Sequence, residues 1–129
     1  MNIILAVGLG GGIGSIARYL TIIGCGRLCG SGFPWGTLVV NVLGSFAMGV
    51  LAEVFRRHVL KDPVLAALLT TGFLGGYTTF STFSLDITLL FERGEPIAAG
   101  TYIVASLVLS LIGIGGALVL TRAFTGVVT

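Results

Sequence analysis

Residues 70–86 read TTGFLGGYTTFSTFSLD. The stretch carries glycines at Gly72, Gly75 and Gly76, which are poor helix formers. It also carries seven Ser/Thr hydroxyls, at Thr70, Thr71, Thr78, Thr79, Ser81, Thr82 and Ser84. Phe80 and Phe83 stand three apart among them. Yet it sits inside a long apolar run. Polar and breakable, it needs a physical explanation once its surroundings are read as membrane.

The composition requires that reading. The chain has 129 residues, mean hydropathy +1.09, 55% hydrophobic residues and only 9% charged ones. Soluble domains average about 25% charged. So few charges cannot cover the surface of a small soluble fold. A net charge of +2 gives no basic footprint of the kind nucleic acids require. The N-terminus MNIILAVGLGG has neither the basic flank nor the cleavage site of a signal peptide, so a retained first helix is expected. No lipidation signal is expected at the C-terminus.

Outward from the central stretch, the chain resolves into four apolar runs, at about residues 3–23, 35–54, 64–90 and 97–121. Each can cross a hydrocarbon core of about 30 Å at about 1.5 Å per residue. The sequence therefore predicts an all-α membrane protein, one four-helix domain over residues 1–129. Pro34, Pro63 and Pro96 stand near run starts, where a missing N–H costs little. Short links make sequential helices antiparallel and put both termini on one side. Arg56, Arg57, Lys61 and Arg122 fall on that side, with Arg27 and Arg93 opposite. Four against two is a weak positive-inside bias; the simple reading puts the termini in the cytoplasm, and the other is that orientation is poorly specified, so that copies insert both ways. Glu53, Asp62, Glu92 and Glu95 lie at the links and read as solvated; Asp86 is the exception, near the end of the third run.

In lipid, every backbone N–H and C=O must be satisfied within the protein, or in a cavity that water reaches. The third run is expected to break near its middle, at residues 72–76 and the β-branched Thr78 and Thr79. A break frees carbonyls, which hold a small cation, and N–H groups, which with the helix dipole favour an anion. The other reading is a glycine-rich helix contact with its hydroxyls bonded back to their own helix. Phe80 and Phe83 share one face; ring edges are positive and can face an anion, or the pair can simply pack.

The other runs carry few polar groups. Asn41 is an amide near the middle of the second, either helix glue or part of a polar path. Tyr102, Ser106 and Ser110 are spaced by four on one face of the fourth, either a path or a helix contact. Arg18 lies inside the first run; it either functions within the membrane or snorkels to its surface. The glycines of AVGLGGGIGSIARYL at residues 6–20 do not make a phosphate loop, since the P-loop Lys-Ser/Thr is absent. Gly8 with Gly12, and Gly10 with Gly14, are small-xxx-small pairs for close helix contact. Gly44, Ser45 and Gly49, and Gly113, Gly115 and Gly116, are read the same way. Cys25 and Cys29 read as free thiols near a helix end, too few with the distant His58 for a metal site. No nucleophile–base set is visible, so an enzyme is not expected.

Three blocks, GGGIGSIARY (10–19), NVLGSF (41–46) and above all GFLGGYTTFSTFS (72–84), resemble the signature blocks of the Fluc fluoride channels, also called the CrcB family. Length and helix plan agree over essentially the whole chain. The resemblance implies a bacterial inner-membrane channel through which fluoride leaves the cell passively. It implies an antiparallel, dual-topology homodimer in the lipid bilayer, with two pores and a structural Na⁺ at its centre. The carbonyls of Gly75 and Thr78 match the family's Na⁺ ligands. Phe80 and Phe83 match its aromatic pair and Asn41 its pore asparagine. Ser81, Thr82, Tyr102, Ser106 and Ser110 match its polar track, and Arg18 the basic residue of the first block, at the aqueous entry. Asp86 stands where the resemblance leads one to expect a glutamate in many relatives; it is read either as part of the entry vestibule or as paired with a basic residue. The competing reading is a small dual-topology multidrug exporter, which would want a membrane-embedded glutamate. A non-transporting assembly protein is the third.

Overall fold

A computed structural model of the chain describes residues 2–57 and 61–124; His58 lies outside them. Four helical spans are long and apolar enough to cross a membrane: Ile3–Cys29, Trp35–Arg56, Pro63–Glu92 and Pro96–Phe124. The first, second and fourth are continuous helices, α1 (Ile3–Cys29), α2 (Trp35–Arg56) and α6 (Pro96–Phe124). The third is composite. It runs as α3 (Pro63–Ala67), a π-helical stretch Leu68–Leu74, α4 (Gly75–Tyr77) and α5 (Phe80–Glu92).

Local chemistry sets the ends. Asn2 caps α1, its Oδ1 accepting the Ile4 N–H at 3.0 Å. Asp62 caps α3 by accepting from Val64 at 2.8 Å, with Pro63 in the first turn. α1 runs beyond the expected residue 23, through Gly24 and Gly26, and stops at Gly30 (φ 81°), whose N–H returns to the Gly26 carbonyl at 3.1 Å. A left-handed glycine just past a helix is a standard stop. Single glycines inside a long helix cost too little to end it. Cys25 and Cys29 are thus free thiols in its last turns.

The helices pack closely because lipid provides no hydrophobic drive between them; association depends on van der Waals contact. α1 runs parallel to the third span. A Cβ on Gly10 would run into the Leu68 carbonyl, and one on Gly14 into the Phe73 carbonyl. Of the two interleaved glycine pairs, only Gly10 and Gly14 make this contact; Gly8 and Gly12 have nothing within 4 Å. α2 runs parallel to α6 and shares its largest surface with it. Gly49 lets α6 approach, a Cβ there lying 2.7 Å from the Ile114 carbonyl. Gly113 abuts α2 as well, whereas Gly115 and Gly116 meet nothing within 4 Å and are not packing positions within the chain. Leu38, Phe83, Leu90, Ala99 and Tyr102 form the buried apolar cluster. Large apolar side chains elsewhere are widely exposed, as lipid-facing helices require.

Two expectations need correction. Gly72, Gly75 and Gly76 stay helical; the non-helical residues are Thr78 (ψ 159°) and Thr79 (φ −153°, ψ 121°). Gly72 and Gly76 serve close approach to α1 instead, lying against the backbone of Val7 and Gly11; Gly75 makes no such contact. The β-branched threonines, which favour extended backbone, take the irregular conformation. Glu53 is not solvated. It is 1% exposed and pairs with Arg56 (2.6 Å), Arg57 and Arg122 (3.4 Å), the last joining the ends of α2 and α6. One buried carboxylate needs charged partners, and its own helix supplies two of the three at i+3 and i+4.

Candidate ion pathway

Thr78 and Thr79 interrupt the helical ladder, and side chains from two other spans take up what they release. Asn41 Nδ2 donates to the Thr79 carbonyl at 3.0 Å, and Asn41 Oδ1 accepts the Thr79 N–H at 2.9 Å. One amide side chain thereby completes both backbone groups of an extended residue. Arg18 Nη1 donates to the Thr78 carbonyl at 3.2 Å. Gly44 makes room: a Cβ there would collide with the Thr78 methyl. A continuous helix would direct the Thr79 N–H to the Gly75 carbonyl. With that N–H on Asn41, the Gly75 carbonyl is relieved of it, and Gly75 lies exposed.

The Thr79 side chain then starts α5. Its Oγ1 accepts the Thr82 N–H at 3.2 Å as N-cap. It also meets the hydroxyls of Ser81 (3.2 Å) and Thr82 (3.1 Å). Sequence reading placed Ser81 and Thr82 among the candidate residues and missed Thr79, which ties them together. The local signal was present only in part, since a Thr directly before an apolar helical run is an N-cap candidate. The contact with Asn41, 38 positions away, left no local signal.

Two cavities flank this cluster. The larger, about 390 Å³, brings together Asn41 and Ser45 of α2, Thr78, Thr79, Phe80 and Phe83 of the third span, and Ser106 and Ser110 of α6. None of its lining residues is charged. Phe80 and Phe83 have ring centroids 5.6 Å apart, tilted by 43°. They differ sharply in exposure: Phe83 is 7% exposed and Phe80 76%. Ser106 Oγ is buried with no partner in good hydrogen-bond geometry among the described residues. The smaller cavity, about 230 Å³, is lined by Thr37, Thr82, Asp86 and Arg93 among others. Tyr102 stands beside both. It is fully buried, its ring 5.2 Å from that of Phe83 and its hydroxyl donating to Asp86 Oδ2 at 3.1 Å.

Seven of the ten candidate pathway and entry residues line the two cavities, and the other three lie against residues that do. Asn41, Phe80, Phe83, Ser106 and Ser110 line the larger cavity; Thr82 and Asp86 line the smaller. Tyr102 lies between them. Ser81 joins through the hydroxyl of Thr79, and Arg18 reaches the Thr78 carbonyl. Chemically, these residues offer hydroxyls, an amide and ring edges. The ionic groups beside them, Arg18, Asp86 and Arg93, lie outside the lining of the larger cavity.

Comparison with known proteins agrees over nearly the full length. Residues 5–118 match the family described as CrcB-like protein, Camphor Resistance (CrcB). A "Fluoride-specific ion channel FluC" of Rhodospirillum centenum is 52% identical over 122 residues, covering 95% of this chain and 97% of that protein. A protein of the same name from Rhizobium meliloti is 49% identical over 123 residues, covering 95% and 98%. "Fluoride-specific ion channel FluC 1" of Nitrobacter hamburgensis is 54% identical over 108 residues, covering 84% and 86%. These relatives are ion channels and not enzymes, and this chain, a multi-pass membrane protein by its four spans, belongs to the CrcB family.

Proposed function

We propose that the chain is a fluoride-selective channel giving passive export of fluoride across the bacterial inner membrane. The observation that carries this reading is the uncharged cavity on which Asn41, Phe80, Phe83, Ser106 and Ser110 converge from three spans. Fluoride is small and strongly hydrated, so a pore must replace its water with donors. Amide N–H, hydroxyls and the positive edges of aromatic rings do so without a fixed charge that would trap the ion. α5 begins at the same cavity, so the positive end of its dipole favours an anion there. Tyr102, Thr82 and Ser81 extend the donor series toward Asp86.

The third span acts, in this reading, as a broken transmembrane helix, with Thr78 and Thr79 as the break. The working unit is an antiparallel homodimer of oppositely inserted copies. Exposed Phe80 and the open side of the larger cavity are where the second copy closes the path.

A structural Na⁺ fits the donor set. The Gly75 carbonyl is relieved of its helical N–H, and a carbonyl has two lone pairs, so Arg18 takes only one on Thr78. Gly75 and Thr78 from each copy would hold the ion, and Na⁺ would supply a positive charge that fixes the two breaks against each other. Buried Glu53 does not favour the exporter reading, because a carboxylate engaged by three guanidiniums at a helix end is not available to carry protons.

The test is efflux from liposomes containing the purified protein. Fluoride should leave and chloride should stay. Trapped fluoride, from protein shown to be folded and dimeric, would sink the channel reading. Complete exchange of Na⁺ for a larger monovalent cation should lower the thermal midpoint of the dimer; indifference to every such cation would remove Na⁺ from the proposal and leave the channel intact.

A further inference from the structure

The smaller cavity, about 230 Å³, differs from the larger in carrying charge. Asp86 and Arg93 both line it, beside the hydroxyls of Thr37 and Thr82. Its size admits a small ion together with several waters. One oxygen of Asp86 is committed to the protein, Oδ2 accepting the Tyr102 O–H at 3.1 Å. The carboxylate still opposes an anion there, and so does the C-terminal end of α5, which reaches the cavity at Arg93.

Arg93 is the one cation among the lining residues, and the end of α5 sets where it stands. It is the C-cap, its backbone N–H returning to the Leu89 carbonyl at 3.1 Å, and Gly94 (φ 74°) turns the chain away. Its Nε donates to the same carbonyl at 3.3 Å. That bond holds the side chain along its own helix, so that the guanidinium shares a cavity with Asp86, about two turns earlier. Among the described residues no carboxylate is in ion-pair contact with Arg93, and its Nη groups have no acceptor. A guanidinium stays charged under all ordinary conditions. A second donor stands nearby: Thr79 Oγ1 donates to Thr82 Oγ1 at 3.1 Å, which leaves the Thr82 O–H to turn into the cavity.

We propose that the smaller cavity is a binding subsite for a small hydrated inorganic anion at one mouth of the pathway, with Arg93 as its charged ligand. The inference rests on the channel reading and gives that pathway a mouth. Arg93 raises the local anion concentration by charge alone, while the ion keeps part of its water. The Thr82 hydroxyl then leads to the neutral donors around Thr79. Asp86 is the counterweight: beside a lone guanidinium an anion would be held firmly, and the carboxylate keeps it weakly bound, as conduction needs. Charge attracts fluoride and chloride alike, so the subsite supplies ions and leaves discrimination to the uncharged cavity.

Fluoride efflux from liposomes containing the full-length protein tests the subsite, read across a range of fluoride concentrations with an impermeant salt added in steps. At low fluoride and low ionic strength, Arg93→Gln should slow efflux about twofold or more, and Arg93→Glu further, while Arg93→Lys keeps the wild-type rate. Saturating fluoride should close the gap. Added salt should close it too, because it screens the charge. Arg27→Gln removes a cation from the end of α1 that does not line the cavity, and should change nothing. Wild-type efflux in Arg93→Glu at low fluoride would overturn the subsite. So would a loss that neither salt nor saturating fluoride reduces, or an equal loss in Arg27→Gln. Silence of the folded wild type would instead sink the channel reading, and the subsite with it. If Arg93→Gln does not fold, the wild type carries the test: its low-fluoride efflux should slow as salt rises, and indifference to salt would overturn the subsite.

Discussion

At Thr79 the buried polar groups are neutral; at Glu53 they are ionic. Thr79 lies in the middle of a span, and its partners are an amide and two hydroxyls. Glu53 lies in the last helical turn, and its partners are three guanidiniums. Depth accounts for the contrast. Charge near the bilayer centre is costly and confined to special roles, whereas at a helix end long basic side chains reach both the carboxylate and the aqueous surface. On the proposed reading a neutral site would also keep a passing anion weakly held, as conduction needs. If the middle of the molecule serves transit, as proposed, and the end ties α2 to α6, substitutions in the two regions should fail in different ways.

The largest effect is expected at Asn41. Asn41→Leu keeps the volume and removes both hydrogen bonds to Thr79, leaving a backbone N–H and C=O without partners. Orphaning a buried polar group costs about 1–3 kcal/mol, so the variant should lose thermal stability and fluoride efflux together. Efflux at the wild-type rate would show that the cavity does not need the conformation Asn41 holds.

That bond also marks where the sequence stops being legible. The four spans, the polar character of the central stretch and its candidate residues could all be read from hydropathy, helical spacing and the signature blocks. Asn41 could be read as an amide in need of partners, but which partners depended on a contact across 38 positions. The glycines show the same limit. Gly8 with Gly12 and Gly10 with Gly14 are equivalent patterns, and only the neighbouring backbone decides that Gly10 and Gly14 face the third span. Glu53 was misread for a different reason. Nearness to a link suggested water, although Arg56 and Arg57 at i+3 and i+4 already offered a local pairing.

The aromatic pair separates conduction from packing within the central region. Phe83 is buried against Tyr102, and Phe80 is exposed at the cavity's open side. Phe83→Ile should cost about 1–2 kcal/mol through lost packing, and Phe80→Ile almost nothing in the isolated chain. Both should suppress fluoride efflux. Loss of efflux in Phe83→Ile alone would reduce Phe80 to a lipid-facing or subunit contact.

Glu53→Gln tests the other end. It leaves three guanidiniums around a neutral amide, so the thermal midpoint should fall, and fall less at high salt, where screening weakens the repulsion. Fluoride-over-chloride selectivity in the folded fraction should not move. A change in selectivity would mean that the two regions are coupled and that the division between their roles is false.

Ser106→Ala should have the smallest effect on stability and is for that reason the most discriminating. A buried hydroxyl that serves the fold has a partner, and removing it costs about 1 kcal/mol. Ser106 Oγ has none in good hydrogen-bond geometry among the described residues, although it lies close enough to the Tyr102 hydroxyl to interact with it, and it lines the larger cavity. Its removal should therefore leave the thermal midpoint unchanged or slightly raised, because an unsatisfied polar group is gone. Efflux should nevertheless slow, because an ion crossing the cavity loses a donor. A fall in stability with efflux unchanged would place the hydroxyl in the helix contact between α2 and α6 and out of the ion's path. The converse pattern is the one expected of a hydroxyl whose contact with Tyr102 adds little to the fold and whose main partner is a ligand that comes and goes.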